Sequence, residues 1–124
     1  MSHVRARRIL VADDAETITT LLSVAFTAEG HKVVTAGDGV AAYEIGCEHR
    51  IDLAILDHLM PGLLGIEVLE KWKAEGLEFP VIMLSGVDDE STIVDCLRLG
   101  AVDFVRKPFR VNELRARVDR TLNR

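Results

Sequence analysis

The chain has 124 residues, of which 48% are hydrophobic and 28% charged, and it carries a formal net charge of −5. That length fits one domain over residues 1–124 and buries roughly two thirds of the surface an unfolded chain exposes. The acidic balance excludes a general attraction to nucleic acid or anionic membranes, and no apolar stretch approaches the ~20 residues that span a bilayer.

Arg5, Arg7 and Arg8 crowd one end, and Arg106, Arg110, Arg115, Arg117, Arg120 and Arg124 the other; both groups read as solvated faces. The N-terminus runs into a strand-like segment with no signal peptide, so a cytoplasmic protein is expected. Cys47 and Cys96 both fall in helical patterns and form no CxxC pair, which predicts buried or half-buried free thiols.

In chain order, Arg8 to Ala12 (RILVA) reads as a first strand. From Glu16 to Ala28 the apolar residues Ile18, Leu21, Leu22, Ala25 and Phe26 recur at helical spacing, and Gly30 supplies a stop. Lys32 to Ala36 is a second strand, and Gly39 to about Glu48 a second helix. The unbroken apolar run Leu53 to Leu56 resembles a strand covered on both faces. Pro61, Gly62 and Gly65 mark a loop, a third helix runs from about Leu64 to Glu75, and Val81 to Ser85 forms the fourth strand. A fourth helix spans about Glu90 to Leu99, a fifth strand Asp103 to Val105, and a last helix places Val111, Leu114, Val118 and Leu122 on one stripe. Five βα units in this order argue for a parallel sheet with helices on both faces.

Four of the five strand-like runs end in residues suited to phosphate or metal chemistry: Asp13 and Asp14, Asp57, Ser85 and Lys107. Parallel strands bring such residues to one edge, where open α/β sheets bind ligands. Three carboxylates suit a divalent cation, and Mg²⁺ binds through one or two carboxylates plus phosphate oxygens. Asp57 is placed as ligand or nucleophile, and a carboxylate attacking phosphorus gives an acyl phosphate. Lys107 can offset charge on the transferred group while the Ser85 hydroxyl donates to one of its oxygens. Each residue alone has a plainer reading, as a helix cap, a turn or an exposed lysine; their coincidence at four strand ends carries the functional one.

VADDAE, LAILDHLMPGLLG, VIMLSG and FVRKPF together resemble the receiver domain of two-component response regulators, of the kind found in chemotaxis regulators, and the resemblance covers essentially the whole chain. It implies a doubly wound five-stranded parallel sheet of order 2-1-3-4-5 flanked by five helices, the flavodoxin-like order. It further implies that Asp57 accepts a phosphoryl group from a histidine kinase or phosphotransfer protein. Asp14 would bind Mg²⁺ directly, Asp13 mainly through water, and the Leu59 backbone carbonyl would be a further ligand. Lys107 would hold a phosphoryl oxygen, with its peptide to Pro108 cis. Ser85 and Phe104 would form the switch, the hydroxyl moving toward the phosphoryl group and the ring turning inward. Phosphorylation would bias the face of the fourth helix, fifth strand and fifth helix toward an effector, an output domain or a second copy, with no nucleic-acid contact by this domain.

Some positions tune the pattern. His58 follows the acceptor, but the next side chain along a strand points to the opposite face and Mg²⁺ prefers oxygen, so a ligand role is not expected. Leu59 and Val87 are apolar where related domains often carry polar groups, which predicts a long-lived phosphoryl group. ELRARV, with Asp103, resembles the charged face through which some transcription-factor receivers dimerise, although ordinary solvated charges are the simpler reading. A stand-alone regulator and a receiver joined to an output domain both fit a chain ending at Arg124.

Three other readings compete. GDGVAA, Gly37 to Ala42, matches a dinucleotide-binding fingerprint, but it follows the second strand in a chain too short for two nucleotide-binding halves and is read as a turn with a helix start. A haloacid-dehalogenase-type phosphatase also uses a strand-end Asp, Mg²⁺ and a Lys, yet it needs an acid two residues past the nucleophile, where Leu59 stands. A pseudo-receiver that keeps the fold as a binding module is the third, and the full set of site residues argues against it.

Overall fold

The alternation of strand-like and helical patterns is realised in the computed structural model, which describes residues 5–86 and 88–123. The elements are β1 (Arg8–Ala12), α1 (Glu16–Ala28), β2 (Lys32–Ala36), α2 (Gly39–Glu48), β3 (Leu53–Leu56), α3 (Gly65–Ala74), β4 (Val81–Ser85), α4 (Glu90–Arg98), β5 (Asp103–Arg106) and α5 (Val111–Leu122). Expected and observed ends differ by single residues. Leu64 and Glu75 cap α3 rather than belong to it, and α4 stops at Arg98 because Gly100 turns left-handed at φ 104°. β5 gains Arg106 by pairing with Ser85.

The five strands are all parallel and ordered β2-β1-β3-β4-β5. Burial follows the two-residue period of the strands. Ile9 and Val11, Leu53 and Ile55, and Ile82 and Leu84 face Leu22 and Phe26 of α1 and Leu114, Val118 and Leu122 of α5. Leu10 and Ala12, Ala54 and Leu56, and Val81 and Met83 face Ala42 of α2, Val68, Leu69 and Trp72 of α3 and Cys96 of α4. The strands read as unbroken apolar runs because both faces are covered. Among the described residues no helix is long and apolar enough to cross a membrane.

Cys96 is buried, but Cys47 is exposed, contrary to expectation. Helix α2 buries Gly39, Ala42 and Gly46, so the residue after Gly46, about 100° further round the helix, turns outward. GDGVAA is a turn followed by the first residues of α2, capped by Asp38, whose Oδ1 accepts the Ala41 N–H at 2.8 Å.

Helices α2 and α3 meet through one close approach. The Trp72 indole lies against Gly46, where any Cβ would overlap the ring, and its Nε1 donates to the Tyr43 carbonyl at 3.1 Å. Gly to Ala in a helix interior ordinarily stabilises by about 1 kcal/mol. Here Gly46→Ala should instead lower stability, by about 1–3 kcal/mol of overpacking, measured by urea denaturation; a stabilised variant would contradict the contact.

Candidate functional site

Parallel register decides what meets at the carboxyl edge. Ala12 lies beside Leu56, so Asp13 and Asp57 emerge next to one another as their strands end. The Asp57 N–H bonds the Ala12 carbonyl at 2.9 Å, and the Asp13 N–H bonds the Ala36 carbonyl at 3.0 Å. Both acids are buried, at 2% and 3% exposure, whereas Asp14 turns out to solvent. Ser85, fully buried, ends the strand between β3 and β5, and its carbonyl accepts the Lys107 N–H at 2.9 Å.

From the end of β5 the Lys107 side chain reaches back across the sheet edge. Its Nζ stands 2.7 Å from Asp13 Oδ2 and 3.3 Å from Asp57 Oδ2. The Lys107–Pro108 peptide is cis. The site therefore draws on β1, β3, β4 and β5: Asp13 and Asp57 meet Lys107 directly, and Ser85 joins them through its carbonyl bond to the Lys107 N–H.

The electrostatics follow from burial and crowding. Desolvation raises the Asp57 pKa above the ordinary carboxylate value, the neighbouring Asp13 charge raises it further, and Lys107 pulls it back only in part. For Lys107, desolvation works against the ammonium, but its close contact with Asp13 and the charge of Asp57 outweigh it, so its pKa stands above the usual lysine value.

Carboxylate oxygens of Asp13, Asp14 and Asp57 lie within 4.8 Å of one another. Asp13 Oδ2, buried, has the Lys107 ammonium beside it but no well-aligned hydrogen bond. A hard oxygen donor set under mutual repulsion fits a small divalent cation. A second grouping, Glu29, His31 and Asp119, suits a metal less well. The His31 Nδ1 accepts the Arg7 N–H at 3.1 Å, which leaves the proton of the neutral ring on Nε2, and Glu29 is held by Arg115 at 2.8 Å.

His58 is buried. Its contribution is one that sequence reasoning missed. The ring Nδ1 accepts the Ile66 N–H at 3.3 Å, satisfying a donor in the first turn of α3. The bond spans the β3–α3 loop, and no local sequence signal announces it. Gly65 seals the same corner, its N–H bonding the His58 carbonyl at 2.7 Å where a Cβ would overlap the Asp57 carbonyl. Asp13 also has a dual use, since its Oδ1 accepts the Ala15 N–H at 2.9 Å and shapes the turn into α1.

Leu59 is 57% exposed beside the site. Val87, which shares with it the expectation of a long-lived phosphoryl group, lies outside the described residues. Phe104 is half-buried, packed against the core on the α2, α3 and α4 side. On the β5–α5 surface Arg117 grips both oxygens of Asp103, at 2.9 and 2.8 Å, and reaches Glu113 at 3.0 Å.

Comparison with known proteins agrees with this geometry. The model of the response regulator receiver domain family matches residues 9–119. The alkaline phosphatase synthesis transcriptional regulatory protein PhoP of Bacillus subtilis (strain 168) is 42% identical over 118 residues, which are 95% of this chain and 49% of the relative. The chain spans about half the length of the curated relatives it matches. Among solved structures, the Francisella response regulator 1452 receiver domain is 31% identical with a TM-score of 0.89, covering 94% of this chain and 97% of that one. The CheX–CheY–BeF3–Mg complex from Borrelia burgdorferi contains a chain 33% identical with a TM-score of 0.85, covering 90% of this chain and 86% of that one. The strand order, the two helical layers and a family match that leaves only short ends outside it lead to one conclusion: the chain belongs to the response regulator receiver domain family.

Proposed function

We propose that this domain is the phosphoacceptor of a two-component phosphorelay, with Asp57 as the residue phosphorylated by a sensor histidine kinase or a phosphotransfer protein. The observation that carries the reading is the convergence of Asp13, Asp57 and Lys107, from three strands, on one buried contact of 2.7 and 3.3 Å. An Asp57 carboxylate oxygen attacks phosphorus, the P–N bond of the donor phosphohistidine breaks, and the imidazole leaves with the bonding electrons. Asp13, Asp14 and Asp57, with the Leu59 backbone carbonyl, would hold Mg²⁺, which supplies charge neutralisation between the carboxylates and the phosphoryl oxygens when bound.

Lys107 offsets charge on a further phosphoryl oxygen, and the Ser85 hydroxyl donates to another. Ser85 and Phe104 then couple the site to the α4, β5 and α5 face, where an effector protein or a linked output domain docks. A homodimer through that face would require Arg117 to exchange its bonds to Asp103 and Glu113, so we favour partner binding there. The solved CheX–CheY–BeF3–Mg complex supports a receiver meeting a protein partner with a phosphoryl mimic and Mg present. With apolar Leu59 beside the phosphoryl group and the apolar residue Val87 two positions beyond Ser85 in the sequence, slow hydrolysis completes the reading. The phosphatase alternative lacks an acid at position 59.

Incubation with Mg²⁺ and acetyl phosphate should add one phosphoryl group to the wild type and none to Asp57→Asn, read by intact mass. Addition to both proteins, or to neither when both are folded, would contradict the assignment.

The raised Asp57 pKa has a sign that thermal melting can read. The folded state takes up this proton before the unfolded state does, so the Asp57 contribution to metal-free stability is unfavourable above the folded pKa and is relieved as pH falls through it. Without Mg²⁺ at pH 7, Asp57→Asn should therefore melt higher, by about 4 °C for each ~1 kcal/mol of relieved repulsion. The difference should shrink toward pH 4. A lower melting temperature for Asp57→Asn at pH 7 would contradict the sign.

A further inference from the structure

The amino edge of the sheet, opposite the carboxylates, gathers charge of the other sign. Arg5, Arg7 and Arg8 lie at the entrance to β1, Lys32 opens β2 and Arg50 precedes β3, and with Asp52 they line an open cavity of about 330 Å³. Five cations thus surround one acid in a chain whose net charge is −5. The acid is already engaged: Asp52 Oδ2 accepts the Arg8 backbone N–H at 2.8 Å, and its Oδ1 lies 3.7 Å from Arg50. Arg7 is drawn toward the end of α5, donating to the Leu122 carbonyl at 3.3 Å. Among the described residues, the side chains of Arg5, Arg8 and Lys32 have neither a hydrogen bond nor an ion pair.

Cations collected in a concavity repel one another and focus a positive field there, and an anion seated among them relieves both effects. We propose that this cavity is a binding site for a small polyanion carrying two or more phosphate groups. The cations come from three separate segments around the rim, so a single tetrahedral phosphate cannot meet them all, whereas a chain of phosphates can. Arginine forks suit phosphate oxygens through paired N–H bonds, and lysine adds a compact charge. A nucleic-acid duplex fits less well, because these cations sit around a concavity on a chain that is acidic overall. The five-residue strands β1 and β2 separate the cavity from Asp57 by about 15 Å at ~3.3 Å per residue, so the two sites take different ligands.

Titration calorimetry with inorganic tripolyphosphate, free of Mg²⁺ and at about 0.15 M salt to screen diffuse attraction, tests this. One equivalent should bind at least about tenfold more tightly than orthophosphate, a difference of ~1.4 kcal/mol. Arg8→Gln and the surface-placed Lys32→Gln should each weaken binding several-fold, with folding verified by melting. Arg98→Gln, which removes the same charge from α4, and Asp57→Asn should leave it unchanged. Amide shifts on binding should cluster at residues 6–8, 31–33 and 50–53. The proposal is overturned by no binding at millimolar tripolyphosphate, by equal affinity for orthophosphate, by shifts centred elsewhere, or by Arg98→Gln weakening binding as much as Arg8→Gln.

Discussion

Asp13 and Asp57 are buried side by side because β1 and β3 are in register, and two carboxylates in that position repel each other in a medium that screens poorly. The Lys107 ammonium, reaching from β5 to both, makes the arrangement tenable. Much of the molecule exists to hold these three groups in place. The sheet order puts β1 and β3 at its centre, where two helical layers bury them, and β4 carries a small serine between the acids and the lysine. Removing the lysine would leave two buried carboxylates uncompensated, so it is the member the site cannot lose.

The same lysine gives the site a mechanical connection. It ties the end of β5 to the two central strands, and β5 sits at the sheet edge beside a helix with a light hold on the core. Of α4 only Cys96 is buried, and Leu97 is 44% exposed, whereas α5 buries Leu114, Val118 and Leu122. A change in the charge around Asp57 that redirects Lys107 therefore acts on a sheet edge with little apolar burial to resist it. On the proposed reading, this is how a local phosphoryl transfer becomes a surface that another protein can recognise.

All ten elements are legible in the sequence because the strands are short apolar runs and the first and last helices show clear apolar stripes, with Gly30 and the Pro61, Gly62 and Gly65 loop as punctuation. The site is legible for a different reason: parallel strands convert four distant chain positions into one edge, so reactive residues at strand ends announce themselves together. What escapes a reading of the sequence is contact across loops. The His58 bond to the Ile66 N–H and the approach of Gly46 to Trp72 depend on how α3 docks, which no local pattern encodes. Cys47 departs from expectation because helical spacing alone does not set the rotation of α2; packing of Gly46 against the indole does. The sequence pattern assigns Lys107 to an incoming phosphoryl group, and its closer attachment to Asp13 emerges only from the geometry.

The central claim is that the carboxylate cluster is under a repulsion that a divalent cation relieves. A melting-temperature titration with Mg²⁺ tests it most directly, because a ligand bound only by the folded state stabilises in proportion to the logarithm of its excess over the dissociation constant. The wild type should rise saturably with Mg²⁺, while Asp57→Asn should begin higher, and both Asp57→Asn and Asp13→Asn should respond far less. A wild type indifferent to Mg²⁺, or variants that respond as the wild type does, would contradict it.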